Sequence, residues 1–461
     1  MLFERIVSPG LAHYSYLIGD KNEATVIDPR LDCEIYIQKA AAEGMRIIQI
    51  LETHRNEDYV IGSVELADRT GAEIWHADSQ WDYNYGRGAT DEQEWKVGRL
   101  EIKAIKTPGH TPGSMSYLLR DPSGLPWIIF SGDALFAGDV GRVDLLGADR
   151  AMEMSGLLYD SIFGKLLPLG DQVIVCPAHG AGSVCGESIA ERLWTSIGLE
   201  HRYNPKLQFN NREEFAANLS RERIERPPYF RLMEKLNLKG APMQRLPVPR
   251  PLSALDFASQ AKNSFVLDTR MELGFASAHI PGAQSIWIGG LASFEGWFIP
   301  YDKPVLLVAE SCDLSEAVRI LIREGYDDIA GVLAGGMLSW HMSGLKSASI
   351  KTITVQEICA LLDKNEAAPS QILDVRSDSE LEKDGQIQDS QHIHVTQIPE
   401  HMNEIAREFP LYIFCASGMR SMMAASFLKR NGWQNQQVIL GGMAAWKSTK
   451  CPITKHNRYG F

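Results

Sequence analysis

The chain has 461 residues, 44% hydrophobic and 23% charged, which is long enough for about three domains with ordinary buried cores. A formal net charge of −12 excludes a general nucleic-acid or anionic-membrane binder, because such partners need a positive field, so any anionic substrate must be met by local positive groups. No apolar stretch approaches the ~20 residues that span a bilayer, and MLFERIVSPG breaks its apolar run at Glu4 and Arg5, so a cytoplasmic location with no membrane partner is expected.

From Tyr14 to about Ala181, short apolar runs alternate with amphipathic ones. HYSYLIG, ATVIDP, RIIQILETH, EIWHA, LEIKAIKTPGH, SMSYLL, WIIFSGD and VIVCPAHG predict strands; EIYIQKAAAEG and DYVIGSVELADRTG predict helices. Four of the strands run out into THRNED, TPGH, SGD and PAHG, which gathers metal-binding side chains where layered α/β folds build their sites. From Tyr203 to about Arg250 the chain turns polar and rich in Arg and Pro, as a helical extension followed by a linker. Behind it lies an internal repeat: Leu267-Asp268-Thr269-Arg270 falls on Leu373-Asp374-Val375-Arg376 and Gly335 to Trp340 on Gly441 to Trp446, at one offset. Each copy is an α/β domain of roughly a hundred residues, a duplication rather than a solenoid. The expected division is 1–245, 246–347 and 348–461.

The seven cysteines, Cys33, Cys176, Cys185, Cys312, Cys359, Cys415 and Cys451, are an odd number spread through a large chain, so reduced thiols are expected. Cys415 is distinctive. LYIFCASGMRSMMAASF is an apolar strand, then Cys415 to Arg420, then a helix, so the thiol faces free backbone N–H groups and the positive end of the helix dipole. That environment stabilises a thiolate or persulfide. In the first copy the loop reads VLLVAESCDLSEAV, with Val308 or Ala309 at the place of Cys415, and Cys312 stands among Glu310 and Asp313, which disfavour a thiolate. That copy is read as a non-catalytic spacer or docking domain.

In the front segment, His54, Asn56, Asp58, His110, Asp133 and His179 follow predicted strands. With their motifs they resemble the metallo-β-lactamase superfamily, whose first motif is HxHxDH; here it reads His54-Arg55-Asn56-Glu57-Asp58-Tyr59, two histidines short. The surviving His54, His110 and Asp133 form the two-imidazole, one-carboxylate set that leaves positions open on Fe(II). That subset, Gly141-Arg142-Val143-Asp144 and the pair Asp58-Tyr59 are similar to the persulfide dioxygenases fused to rhodaneses. The resemblance implies an αββα sandwich followed by two α/β rhodanese-like domains, with one Fe(II) per chain; the same donors also suit Zn²⁺.

It further implies a persulfide of a small thiol such as glutathione or coenzyme A as substrate, O2 as co-substrate, and sulfite as product. Arg142 is the candidate cation near the substrate, with a structural ion pair as the alternative; Tyr59 and His179 are placed with the substrate, His179 as an outer partner. Cys185, in GAGSVCG, is the best second thiol for receiving or presenting sulfane sulfur, against the reading of a small core residue; Cys33 and Cys176 are taken as core. The rear loop resembles the rhodanese active-site loop: Cys415 is the nucleophile, Arg420 binds sulfite or thiosulfate, and Ser417, Gly418 and Ser421 complete the cradle. The competing readings are a zinc thioester hydrolase of the glyoxalase II type and a non-enzymatic sulfur carrier. A homodimer or homotetramer is expected from the resemblance.

Overall fold

The computed structural model describes residues 1–453 except 187, 210, 223–224, 242–245, 311, 365, 369–370, 408, 450 and 452. The chain forms two compact units, the first built on Met1–Leu246 and the second beginning at Pro247.

The first unit holds two six-stranded sheets. One runs β1 (Leu2–Ser8), β2 (His13–Asp20), β3 (Glu23–Ile27), β4 (Arg46–Glu52), β5 (Glu73–His76) and β6 (Arg87–Gly88), antiparallel through β3 and parallel beyond it. The other contains β7 (Glu94–Val97), β8 (Leu100–Lys106), β9 (Met115–Arg120), β10 (Pro126–Gly132), β11 (Ile174–Pro177) and β12 (Thr195–Ser196), in the spatial order β12-β11-β10-β9-β8-β7. Strand alternation divides the apolar residues between layers. Tyr16, Ile18, Ile27 and Leu51 of the first sheet meet Ile102, Tyr117, Leu119 and Phe130 of the second. Leu17, Val26 and Ile50 face the other way, onto Tyr36, Ala40 and Leu66 of the helices Glu34–Ala42 and Ser63–Thr70. The second sheet is covered by the helix Ala151–Ser161 and by Phe215 and Leu219 of the helix Arg212–Leu219, so part of the polar extension completes an outer layer. Four layers result, helix on sheet on sheet on helix, as the resemblance implies. Cys33 and Cys176 lie in these cores, as expected.

Two differences from the expected elements have local causes. Within MLFERIVSPG, Leu2–Ser8 form strand β1, paired with His13 to Gly19 of β2 despite the interrupted apolar run. The second helix starts at Ser63 rather than near Asp58, because residues 56–61 are held in a loop by other contacts, described below.

The second unit holds two five-stranded parallel sheets of one design. β13 (Pro251–Leu252), β14 (Phe265–Asp268), β15 (Gln284–Ser285), β16 (Val305–Val308) and β17 (Ile329–Leu333) take the order β13-β17-β16-β14-β15. β18 (Lys351–Thr354), β19 (Ile372–Asp374), β20 (Gln391–His392), β21 (Leu411–Phe414) and β22 (Gln436–Leu440) repeat it as β18-β22-β21-β19-β20. The repeated Asp and Arg of LDTR and LDVR pair at the end of the middle strand, Arg270 with Asp268 and Arg376 with Asp374, each at 2.7 Å. Each arginine also donates to a carbonyl of the following segment, Ala278 or Gly385, which anchors that loop to the strand. The run DGQIQDSQHIHV, which departs from the first copy in sequence, still supplies β20. Cys359 and Cys451 are paired, their Cα atoms 6.0 Å apart, where reduced thiols were expected. Among the described residues no helix is long and apolar enough to cross a membrane.

Candidate metal centre and sulfur-transfer loop

The strands β4, β8, β10 and β11 end at one edge of the sandwich and deliver His54, His110, Asp133 and His179 into a common buried space, all at most 2% exposed. Asp133 Oδ2 lies 3.8 Å from His54 Nε2 and 3.4 Å from His110 Nε2. Partners behind the rings set their tautomers. Thr53 Oγ1 donates to Asp28, so it accepts from His54 Nδ1 at 2.9 Å; His110 Nδ1 donates to the Arg142 carbonyl at 2.9 Å. In the neutral rings both Nε2 atoms then carry lone pairs, aimed at a carboxylate that is also an acceptor. His179 Nδ1 donates to Asp133 at 2.8 Å, and its Nε2 stands 2.8 Å from Asp58 Oδ2.

Close packing at the edge explains the Gly-Arg after the aspartate. A Cβ on Gly141 would stand 1.9 Å from the Asp133 carbonyl oxygen, so only glycine lets the two backbones meet.

The donor chemistry fits a bound cation. His54 Nε2, His110 Nε2, His179 Nε2, both oxygens of Asp58 and both of Glu57 are buried without a hydrogen-bond partner, which is costly unless a positive charge stands among them. His54, Glu57 and His110 offer ligand atoms within 4.8 Å of one another, as do His110, Asp133 and Cys185, and Asp58, His179 and Cys185. Burial opposes charge on these groups, yet the three imidazoles outweigh it at Asp133 and hold its carboxyl well below the usual range. Burial likewise works against a charged His110, but Glu57 and Asp133 push it up to about 9.

In the second unit β21 ends at Phe414 and the helix Met419–Arg430 begins four residues after Cys415. The Gly418 N–H donates to Cys415 Sγ at 3.1 Å. Gly442, at φ +46°, lets Met443 and Ala444 donate to the carbonyls of Cys415 and Ala416; a Cβ there would stand 2.1 Å from the Cys415 oxygen, which accounts for the paired glycines of LGGMAAW. Ser421 Oγ is buried with no partner, and Ser417 is exposed, its carbonyl accepting from Gly441. β16 ends at Val308, so Ala309 holds the place of Cys415 in the first copy. Cys312 is exposed and donates to Asp313, which raises its pKa.

Residues 8–179 match the metallo-beta-lactamase superfamily, and residues 253–343 and 354–449 each match the rhodanese-like domain. A solved metallo-beta-lactamase from Staphylococcus aureus superposes with a TM-score of 0.65 at 30% identity, covering 72% of this chain and 98% of that one. The chain belongs to the metallo-beta-lactamase superfamily. Two rhodanese-like domains follow the superfamily fold. Relatives of its front part include the bovine persulfide dioxygenase ETHE1, mitochondrial, 26% identical over 52% of this chain and 88% of that protein. Hydroxyacylglutathione hydrolase GloC of Haemophilus influenzae is 28% identical over 42% of this chain and 91% of that protein.

Against this superfamily frame, His54, His110 and Asp133 converge as expected, and His179 sits behind Asp133. Cys185 is buried at the donor cluster rather than in an apolar core; burial and the charges of Asp58 and Asp133 raise its thiol well above the ordinary value. Tyr59 packs its ring on His13, centroids 3.9 Å apart.

Of the two readings of Arg142, the geometry favours the structural ion pair over a cation that greets the substrate. Its side chain is 1% exposed, pairs with both oxygens of Asp144 and donates to the Val184 carbonyl, so it braces the loops around the site. Arg142→Ala is therefore expected to lower unfolding stability by about 3 kcal/mol, the scale of breaking a buried pair. Denaturant unfolding checks this; a raised KM at unchanged stability would return Arg142 to substrate binding.

Arg420 is likewise engaged, through Nη1 and Nη2 to Glu380 at 2.7 and 2.6 Å, rather than open to an anion. Burial works against the Glu380 carboxylate, but the hydrogen bonds from Arg420 prevail and lower it to about 2. The pair's contribution to stability is thus whole above about 4.5 and is lost as pH falls toward 2. Glu380→Gln is expected to free Arg420 and lower KM for thiosulfate on the order of tenfold, while flattening that acid limb of thermal stability. An unchanged KM would show that Arg420 does not contact the anion.

Three residues escaped the sequence reading. Glu380 forms a capping box with Ser377, a signal visible as Ser-x-x-Glu, but its partner lies forty residues on. Glu57 occupies a spacer position of the metal motif. Asn237, on the helix Phe230–Lys239, donates to the carbonyls of Asn56 and Tyr59 at 2.7 and 2.8 Å and accepts from Ile61 N–H at 2.9 Å. The extension thereby fixes the metal loop and ends the extended stretch before Ser63.

Proposed function

We propose that the front domain oxidises the persulfide of a low-molecular-weight thiol with O2 at a single metal, and that Cys415 exchanges the sulfane sulfur with sulfite. The convergence of His54, His110 and Asp133, in a motif two histidines short of the dinuclear pattern, carries this reading. Similarity to persulfide dioxygenases at 26% identity and the two rhodanese-like domains support it. His54, His110 and Asp133 would hold Fe(II), which when bound supplies open positions for dioxygen and sulfur.

The chain's own residues do the rest. Thr53 and the Arg142 carbonyl keep the rings in the ligating tautomer; burial excludes water; His179 steadies Asp133. Persulfide, dioxygen and water balance to thiol, sulfite and two protons. At the rear, the Cys415 thiolate takes the outer sulfur of a persulfide, releasing the thiol, and sulfite then lifts that sulfur off as thiosulfate; run backward, the same step cleaves thiosulfate. Glutathione and coenzyme A persulfides are the proposed carriers, and the setting is the cytoplasm.

Oxygen uptake by protein loaded anaerobically with Fe(II), started by glutathione persulfide and accompanied by sulfite, tests the reading; no uptake sinks it. The similarity to GloC and the Asp58, His179 and Cys185 group favour one second reading, a zinc thioester hydrolase. Oxygen-independent hydrolysis of a glutathione thioester by zinc-loaded protein would select it.

A further inference from the structure

We infer that Glu57 is a ligand of the front metal, beside His54 and His110. This rests on the front domain holding a metal, but not on the reaction it performs.

Both Glu57 oxygens are buried and lack a hydrogen-bond partner, in a side chain that is fully enclosed. Its Oε1 stands 3.0 Å from His110 Nε2, yet the two are not aligned as donor and acceptor. His110 Nδ1 already donates to the Arg142 carbonyl, so a cation between Nε2 and Glu57 Oε1, taking the place of a proton there, would meet two acceptors at once. His54 Nε2 shares the same small space. The backbone explains why Glu57 and not Asn56 enters. The Asn56 side chain folds back, its Nδ2 donating to the His54 carbonyl at 3.3 Å, while Asn237 grips the Asn56 carbonyl from the other side. The following residue is thereby turned inward.

The donor set becomes two imidazoles with two carboxylates, Asp133 and Glu57. Two carboxylate charges neutralise a divalent ion in a buried pocket, a balance that one carboxylate cannot reach. The additional oxygen donor also removes one of the positions that a three-donor site leaves open, which narrows what else binds there.

Cobalt(II) titration of the metal-free full chain, followed by visible absorption and by thermal melting, tests this on wild type, Glu57→Gln and Glu57→Asp. Glu57→Gln is expected to weaken cobalt binding by more than the ~100-fold that loss of an outer partner costs, and to change the cobalt spectrum. Glu57→Asp keeps a carboxylate and should recover part of both. Metal-free Glu57→Gln loses a buried partner of His110 and should melt lower than metal-free wild type, while its gain on adding cobalt shrinks. Unchanged affinity and spectrum would overturn the inference, as would weakened binding that keeps the wild-type cobalt spectrum, the mark of a damaged loop rather than a lost ligand. Oxygen uptake reports separately: if iron-loaded wild type consumes none while Glu57→Gln loses cobalt, the ligand stands and the dioxygenase reading falls.

Discussion

Replacing His110 with alanine is expected to strip the front domain of its metal and to destabilise what remains. The ring stands within 3.4 Å of both Asp133 and Glu57, so its loss removes a donor and leaves two buried carboxylates facing each other. Metal affinity should fall beyond the roughly 100-fold that outer partners cost, and metal-free stability by about 3–5 kcal/mol, the scale of an unpaired buried charge. Metal analysis after dialysis against a weak chelator and chemical unfolding check the two parts. A pH signature accompanies them. In the metal-free wild type the folded His110 titrates at about 9 against 6.5 unfolded, so its contribution is whole below 6.5 and drains as pH rises through 9. Bound metal replaces the proton and should flatten that decline. Retention of a full metal equivalent by the variant would remove His110 from the ligand set.

The second large effect belongs to the rear loop. Cys415→Ser is expected to lower thiosulfate cleavage with cyanide or thiol acceptors by at least about three orders of magnitude, the scale of losing a catalytic nucleophile, while metal content and oxygen uptake persist. One backbone N–H reaches Sγ, and a serine hydroxyl is far too weak an acid to ionise there. The first copy offers no substitute, because Ala309 stands at the equivalent place and Asp313 disfavours the Cys312 thiolate. Residual turnover that disappears on further replacing Cys312 would contradict this division of labour.

Much of this was readable from the residues, and the pattern of what was not is physical. Strand alternation and the polar run-outs after β4, β8, β10 and β11 pointed to the side chains of His54, His110, Asp133 and His179 that the fold brings together, since the period of a strand and the edge of a layered fold are local properties. The duplication was visible as two LDxR and two GGM signatures, each now tied to an ion pair or a backbone approach. What stayed hidden depends on partners distant in sequence: Glu380 reaching Arg420, Asn237 reaching residues 56–61, Val184 accepting from Arg142. Glu57 was in view, yet a spacer residue becomes a ligand only when its loop is turned, and the turning comes from the far end of the domain. Cys359 and Cys451 show the same: nothing in their spacing marks a pair.

The clasp by Asn237 also orders events in time. On the ribosome the loop carrying His54 and Glu57 emerges nearly two hundred residues before the amide that clamps it. These hydrogen bonds can form only once the helix Phe230–Lys239 has cleared the exit tunnel. A fragment cut back to the sandwich alone would be born with its mouth unlatched.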